Sequence, residues 1–245
     1  MSAFKILVTS CRKHGMTRKE AQDYFYEVHG SLAQSPDPNA NLAKYTQLHF
    51  FDTASYSEKG NDRNDWDLGG ELYFESEEQL ARVYQSSWVR EKVSPDNLNF
   101  SDTNSTRLRM ARDTVIFKNE DIVDSPSTRD KAPILALYFV EPSGSQVSTD
   151  KLVDGFADIL KLGTTDEIWA LYVNTPFELS AKASILFKSQ PFDELIFSIY
   201  LKRPQSIPAF RKAQKDFEDK FAHSICLEKC QTALGSRVVI YNNEK

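Results

Sequence analysis

The sequence predicts an α+β fold built from two βαββαβ halves. Two observations carry this. A polar, acidic run over residues 119–130 interrupts the chain near its middle, and the flanks on either side repeat one alternation of strand-like and helix-like patterns. The run holds one proline and little apolar content, so it lacks the surface to order itself by burial and reads as a linker. This divides the 245 residues into expected units at 1–118 and 131–245, each near the common domain size.

The elements follow in order. Residues 4–11 read as a strand. Thr17 and Glu20 have capping-box spacing and start a helix in which Ala21, Tyr24, Phe25, Val28 and Leu32 recur at helical intervals. Residues 43–51 and 69–74 read as strands, Ser76 to about Tyr84 or Trp88 as a second helix and 107–118 as a closing strand. In the second flank, 133–141 is strand-like. Leu152, Val153, Phe156, Ile159 and Leu160 form a helical stripe, and 167–173 and 194–201 are β-rich. A helix opens at 207 with Pro208 in its first turn, and 237–241 is the last strand. The repeat rests on element order, without long identity.

A βαββαβ unit carries helices on one sheet face only. The other face is covered if two such ferredoxin-like sheets combine within the chain as an intrachain dimeric α+β barrel, which leaves an interior suited to a ligand. The chain is then expected to be a monomer (a pseudo-dimer) or a homodimer.

Composition narrows the function classes. Hydrophobic residues make up 40%, charged residues 27%, and the net charge is −5 with basic residues scattered among acids. No concentrated basic stripe marks a nucleic-acid surface. No segment approaches the roughly 20 apolar residues of a membrane span, and the N-terminus lacks the apolar core of a secretory leader. The three cysteines, Cys11, Cys226 and Cys230, do not make a paired framework. The expected setting is cytoplasmic, with neither nucleic acid nor membrane as partner. Glycine-rich nucleotide motifs and a nucleophile elbow are absent. His223, Cys226 and Cys230 offer three ligands without a fourth, a poor structural zinc site, so no metal is expected. The polar segment 53–64 reads as a mobile lid or as plain disorder.

Candidate chemistry lies in the first half. Along an alternating strand, Tyr45, Gln47, His49 and Phe51 share one face, and Lys44, Thr46, Leu48 and Phe50 the other. The first set is the odd one for a helix-packed core and is assigned to the barrel cavity. His29 sits at a helix C-terminus, and imidazoles exchange protons near neutral pH. His29 or His49 is the expected acid or base. Tyr24 and Tyr45 are expected to hold or polarise a phenol or carbonyl, and Asp65 or Asp67 to orient a histidine. Gln47, Phe51, Trp66 and Tyr73 are the expected substrate contacts. Replacing His49 by alanine is expected to remove turnover. The competing readings are structural: a helix-capping His29, a satisfied strand His49, packing tyrosines, Asp65 and Asp67 as turn residues, and an exposed His14.

The run Lys13-His-Gly15-Met-Thr17-Arg-Lys-Glu20-Ala-Gln-Asp-Tyr24-Phe-Tyr26-Glu-Val-His29-Gly30-Ser-Leu32 resembles the opening of an EthD-like domain. Its Lys-x-Gly turn, threonine helix start, aromatic pair and His-Gly step carry the resemblance. Tyr45-x-Gln47-x-His49 is similar to that family's second strand, and Asp65-Trp-Asp67-Leu-Gly-Gly70-Glu-Leu-Tyr-Phe74 to its third. The likeness spans residues 4–118; the second half lacks these motifs and resembles a degenerate copy. The resemblance implies cofactor-free chemistry on polyketide-like aromatics: decarboxylation, cyclisation or cofactor-independent monooxygenation; the reaction expected of this chain is decarboxylation, dehydration or cyclisation. More distant relatives of the barrel bind haem, and fungal-type look-alikes are decarboxylases or related lyases. The expected activity is a cofactor-free lyase or cyclase of secondary metabolism. The alternatives are a monooxygenase, cofactor-independent or haem-dependent, and a non-catalytic binding barrel.

Overall fold

The computed structural model describes residues 3–55, 65–119, 124, 126–144, 147–164, 166–186 and 192–244. Eight antiparallel strands close into one barrel. They are β1 (Phe4–Ser10), β2 (Lys44–Ser55), β3 (Leu68–Phe74), β4 (Arg107–Lys118), β5 (Ile134–Val140), β6 (Ile168–Pro176), β7 (Leu195–Leu201) and β8 (Gln231–Asn242). Around the barrel the first half contributes the arc β4-β1-β3-β2 and the second half the arc β8-β5-β7-β6. The arcs join through β2 with β8 and β4 with β6. Closure leaves no sheet edge open among these strands. The joining strands β2, β4 and β8 are the longest, at 12 residues each. Irregular register between Phe50 and Asp52 and between Val115 and Phe117 bends them where the sheet must curve.

Seven strand and loop residues set the character of the barrel interior. Leu7, Leu48, Phe50, Trp66, Leu137, Phe139 and Ile196 belong to one buried cluster there. Beside it Glu71 accepts from Lys5 Nζ (2.6 Å), Arg237 Nε (2.8 Å) and Thr46 Oγ1 (2.9 Å). Burial pushes the Glu71 carboxyl up, but Lys5 and Arg237 outweigh it and hold it well below the usual carboxylate range. Arg237 belongs to β8 and Glu71 to β3, so this buried pair ties the two arcs together.

The interior is therefore filled, and the expected assignment of Tyr45, Gln47 and His49 to it is corrected. Leu48 and Phe50 point inward, while Tyr45, Gln47 and His49 point outward beneath the helices. Phe51 follows Phe50 at the register irregularity and turns to solvent, 41% exposed.

The helix α1 spans residues 18–32. Thr17 and Glu20 close a reciprocal capping box at its start. It is α-helical over Arg18–Tyr24, widens to a π-turn at Phe25–His29 and ends over Gly30–Leu32. The helix α2 (Glu77–Gln85) is capped by Ser76, which accepts from Gln79 N. A further helical segment, α3, covers residues 89–99 as a π-turn, a single α-turn and a 3₁₀ turn. Pro95 falls within it, at a first-turn position of the single α-turn, where proline is tolerated.

In the second half, α4 (Thr149–Thr164) and α6 (Ile207–Lys220) cover the sheet, and a short α5 (Ala181–Leu186) precedes β7. The space under α4 and α6 is occupied by aromatic rings. Phe156 meets Phe197 at 4.6 Å and Phe217 at 5.0 Å between centroids.

Candidate functional site

A cavity of about 410 Å³ lies between the outer face of the first arc and the helices α1–α3. That volume is within the range of small-molecule sites. Val8, Leu68, Gly70, Leu72 and Leu108 form its strand side; Phe25, His29 and Ala33 come from α1, Val83 and Tyr84 from α2, and Val89, Val93 and Asn97 from α3. Ser10, Ser101, Thr103 and Thr106 add hydroxyls where β1 ends, with Ser10 Oγ and Thr106 Oγ1 3.1 Å apart. Among the described residues no Lys, Arg, Asp or Glu lines the cavity, and His29 is its one imidazole.

His29 is set by the π-turn of α1 and is held from α3. Its Nδ1 lies 2.9 Å from Asp96 Oδ2. The other carboxylate oxygen, Oδ1, accepts from Tyr24 OH (2.7 Å) and from Asn99 Nδ2 (2.9 Å). Phe25 and Phe100 flank the imidazole, at 5.6 and 4.8 Å between ring centroids. Burial pushes the Asp96 carboxyl up, yet hydrogen bonds from Tyr24, Asn99 and His29 outweigh it and hold it below the usual range. It is thus an acceptor, and the His29 proton resides on Nδ1. Burial lowers the His29 pKa below 6.5, with the bond and charge of Asp96 pulling part of the way back. The result at neutral pH is an uncharged imidazole with a free lone pair on Nε2, which has no hydrogen-bond partner among the described residues. The ring borders a mostly apolar cavity.

A strand chain supports this arrangement from below. Gln47 Nε2 donates to the Phe25 carbonyl (2.6 Å), in the π-turn that carries His29, and to Tyr45 OH (3.3 Å). Gln47 Oε1 accepts from His49 Nε2 at 3.2 Å. His49 Nδ1 is buried without a hydrogen-bond partner among the described residues. Burial first, and the Arg129 charge second, push the His49 pKa down to about 3, so this imidazole is neutral across the physiological range.

Residues 13–104 match the EthD domain. The dehydratase aurZ of Gibberella zeae is 22% identical over 109 residues, an alignment covering 42% of this chain and 72% of that protein. The whole fold is similar to an anthrone oxidase-like protein, with a TM-score of 0.61 at 9% identity over 99% of this chain and 97% of that one. It is also similar to a proposed monooxygenase from Lactobacillus acidophilus, with a TM-score of 0.54 at 9% identity over the same shares of the two chains. At these identities the structural likeness shows the fold alone. Tyr24, His29, Asp96 and Asn99 all fall within the matched residues.

Of the residues expected at the site, the structure brings His29 and Tyr45 to the cavity wall and places Tyr24 one bond behind, on Asp96. Gln47 and His49 lie beneath α1 and do not border the cavity. Among the described residues, neither Asp65 nor Asp67 has a hydrogen bond to a histidine. Asp67 is buried and accepts from the Arg12 backbone N (2.9 Å), Arg12 Nη1 (2.7 Å) and Arg18 Nε (2.8 Å), stapling the turn before α1 to the sheet. Asp65 is exposed and accepts from Thr53 Oγ1 at 3.3 Å. Trp66 packs edge-on to Phe139 inside the barrel, and Tyr73 lies there under Lys44, 4.1 Å from the ring centroid. As substrate contacts, Phe51, Trp66 and Tyr73 are therefore corrected: one faces solvent and two face the interior. His14 is exposed, and most of the expected lid segment, 56–64, lies outside the described residues. Asp96 was not singled out in the sequence because it follows Pro95 in a run that reads as loop. Its only signal was an acidic residue beside two asparagines.

No helix among the described residues is long and apolar enough to cross a membrane.

Proposed function

We propose that the EthD domain is the catalytic half of a lyase that acts on a neutral, polyketide-like aromatic or enolisable substrate, by dehydration or dehydrative cyclisation. The observation that carries this reading is the His29–Asp96 pair at the wall of a cavity without charged side chains. A general base needs a deprotonated group within reach of an acidic proton, and a neutral imidazole oriented by a carboxylate supplies one. In this scheme His29 Nε2 takes the proton from the carbon next to a substrate carbonyl, and the electron pair moves into the enolate. The protonated imidazole, stabilised by Asp96, then returns that proton to the β-hydroxyl, which departs as water as the carbon–carbon double bond forms. Hydroxyls of Tyr45 or of the Ser10–Thr106 cluster hold the carbonyl oxygen.

A carboxylate substrate suits the cavity poorly, since among the described residues no Lys or Arg lines it to repay desolvation. That favours dehydration over decarboxylation. We further read the two arcs as fused copies of one ferredoxin-like unit, residues 1–118 and 131–245, of which the second has lost its cavity to the aromatic cluster around Phe156.

The test is conversion of 3-hydroxy-1-tetralone to 1-naphthol by the full chain, followed by naphthol fluorescence with and without oxygen. Turnover independent of oxygen, and lost in His29→Ala, supports the proposal. Turnover that survives in His29→Ala, or that consumes oxygen, overturns it and turns attention to oxidative chemistry.

A further inference from the structure

One place on the strand side of the cavity lacks a side chain where its row supplies others. Leu108, Val8, Gly70 and Gln47 stand in register across four adjacent strands, so their side-chain positions share the face toward the helices. Val8 and Leu108 wall the cavity with side chains, and Gly70 walls it with backbone alone. Nothing in the local packing requires a glycine. A Cβ at Gly70 would lie 3.5 Å from the Thr46 carbonyl oxygen and 3.6 Å from Leu72 Cδ1 and Tyr45 Cε2, ordinary contact distances. Its φ is also not positive, so the backbone does not call for glycine either.

The next residue differs. A Cβ at Gly69 would lie 2.8 Å from the Val8 carbonyl oxygen and 2.9 Å from the Phe50 ring, so sterics demand glycine there. Glycine inside a strand weakens it; at Gly70 that loss is met by no steric gain. What the residue leaves is open volume on the strand side of the cavity that His29 also lines.

We propose that Gly70 is a specificity-determining residue, whose missing side chain lets a flat, fused three-ring body lie across β3 with its edge toward His29. The inference rests on reading this cavity as the substrate site. A large side chain at position 70 restricts it to smaller ring systems.

The experiment is a binding titration of the full chain and its Gly70→Ala and Gly70→Leu variants. The probes are 1,8-dihydroxyanthraquinone, with three fused rings, and 1-naphthol, with two. Binding is read from probe fluorescence and stability from the thermal midpoint. The wild type is expected to bind both. Gly70→Leu is expected to weaken the anthraquinone at least tenfold and the naphthol less than threefold. Gly70→Ala, whose Cβ fits without a clash, is expected to keep or raise the midpoint and to show the same ordering with a smaller loss, which keeps the test open if the leucine variant does not fold. Equal weakening of both probes, unchanged anthraquinone binding in the leucine variant, or no anthraquinone binding by the wild type would overturn the proposal. These readouts involve no turnover, so they stand apart from the His29→Ala result.

Discussion

His29 Nδ1 and Asp96 Oδ2 meet at 2.9 Å although 67 residues separate them. One comes from the π-turn of α1 and the other from the irregular segment α3. The contact joins two helices over the cavity and fixes the tautomer of the imidazole that borders it. Tyr24 and Asn99 both donate to the second oxygen of the same carboxylate.

That asymmetry makes Asp96→Asn informative. Two donors converge on Oδ1, so the oxygen of the new amide stays there and its NH₂ faces His29. Nδ1 must then accept, and the proton moves to Nε2, where it blocks the base. We expect kcat to fall by about 10²–10⁴-fold with the fold retained, and Asp96→Ala to leave more residual activity than Asp96→Asn. Steady-state kinetics with far-UV circular dichroism on both variants check this.

The pH dependence has a definite sign. The His29 pKa lies below 6.5 because burial outweighs Asp96, and the base must be neutral to act. The kcat/KM profile should rise through an acid limb with a midpoint below 6.5 and be flat above it. Folding follows the same direction: the unfolded imidazole takes up a proton below 6.5 that the folded one resists. Stability from this group is present above 6.5 and is lost as pH falls toward the folded-state pKa. A profile with its acid midpoint above 7 contradicts the assignment.

His49 provides the contrast. With its pKa pushed down to about 3 and its ring beneath α1, it works as a support for Gln47. His49→Ala is expected to keep kcat within a few-fold of wild type and to cost about 1–3 kcal/mol of stability, measured by urea denaturation. Loss of turnover in a fully folded variant would restore it as a reacting group.

Glu71→Ala tests what holds the arcs together. It leaves Lys5 and Arg237 buried with their shared partner gone, and removing one member of such a group costs about 3–5 kcal/mol. The wild-type carboxyl is held below its ordinary 4.5. Its contribution is therefore complete above 4.5 and is lost as pH falls toward the folded-state pKa. Denaturation midpoints measured from pH 7 down to pH 3 should decline in the wild type and much less in the variant.

The local elements were legible because their causes are local. The capping box at Thr17 and Glu20, the helical stripe through Phe25 and the alternation in β2 each follow from spacing along the chain, and the EthD motif sat on the same residues. Spacing also grouped Tyr45, Gln47 and His49 on one face, but it could not say which way that face points. Strand alternation is symmetric, and only closure of the barrel made Leu48 and Phe50 the interior set. The partner of His29 was hidden for a related reason. A contact across 67 residues depends on how α3 folds back over α1, and the propensities of Pro95, Asp96 and Asn97 argue for a loop when read alone. The sequence by itself determined the chemistry available to this protein: a histidine, a tyrosine and the glycines of β3. The tertiary structure decided which of these groups face one cavity, because burial and hydrogen-bond pairing are set between elements rather than within them.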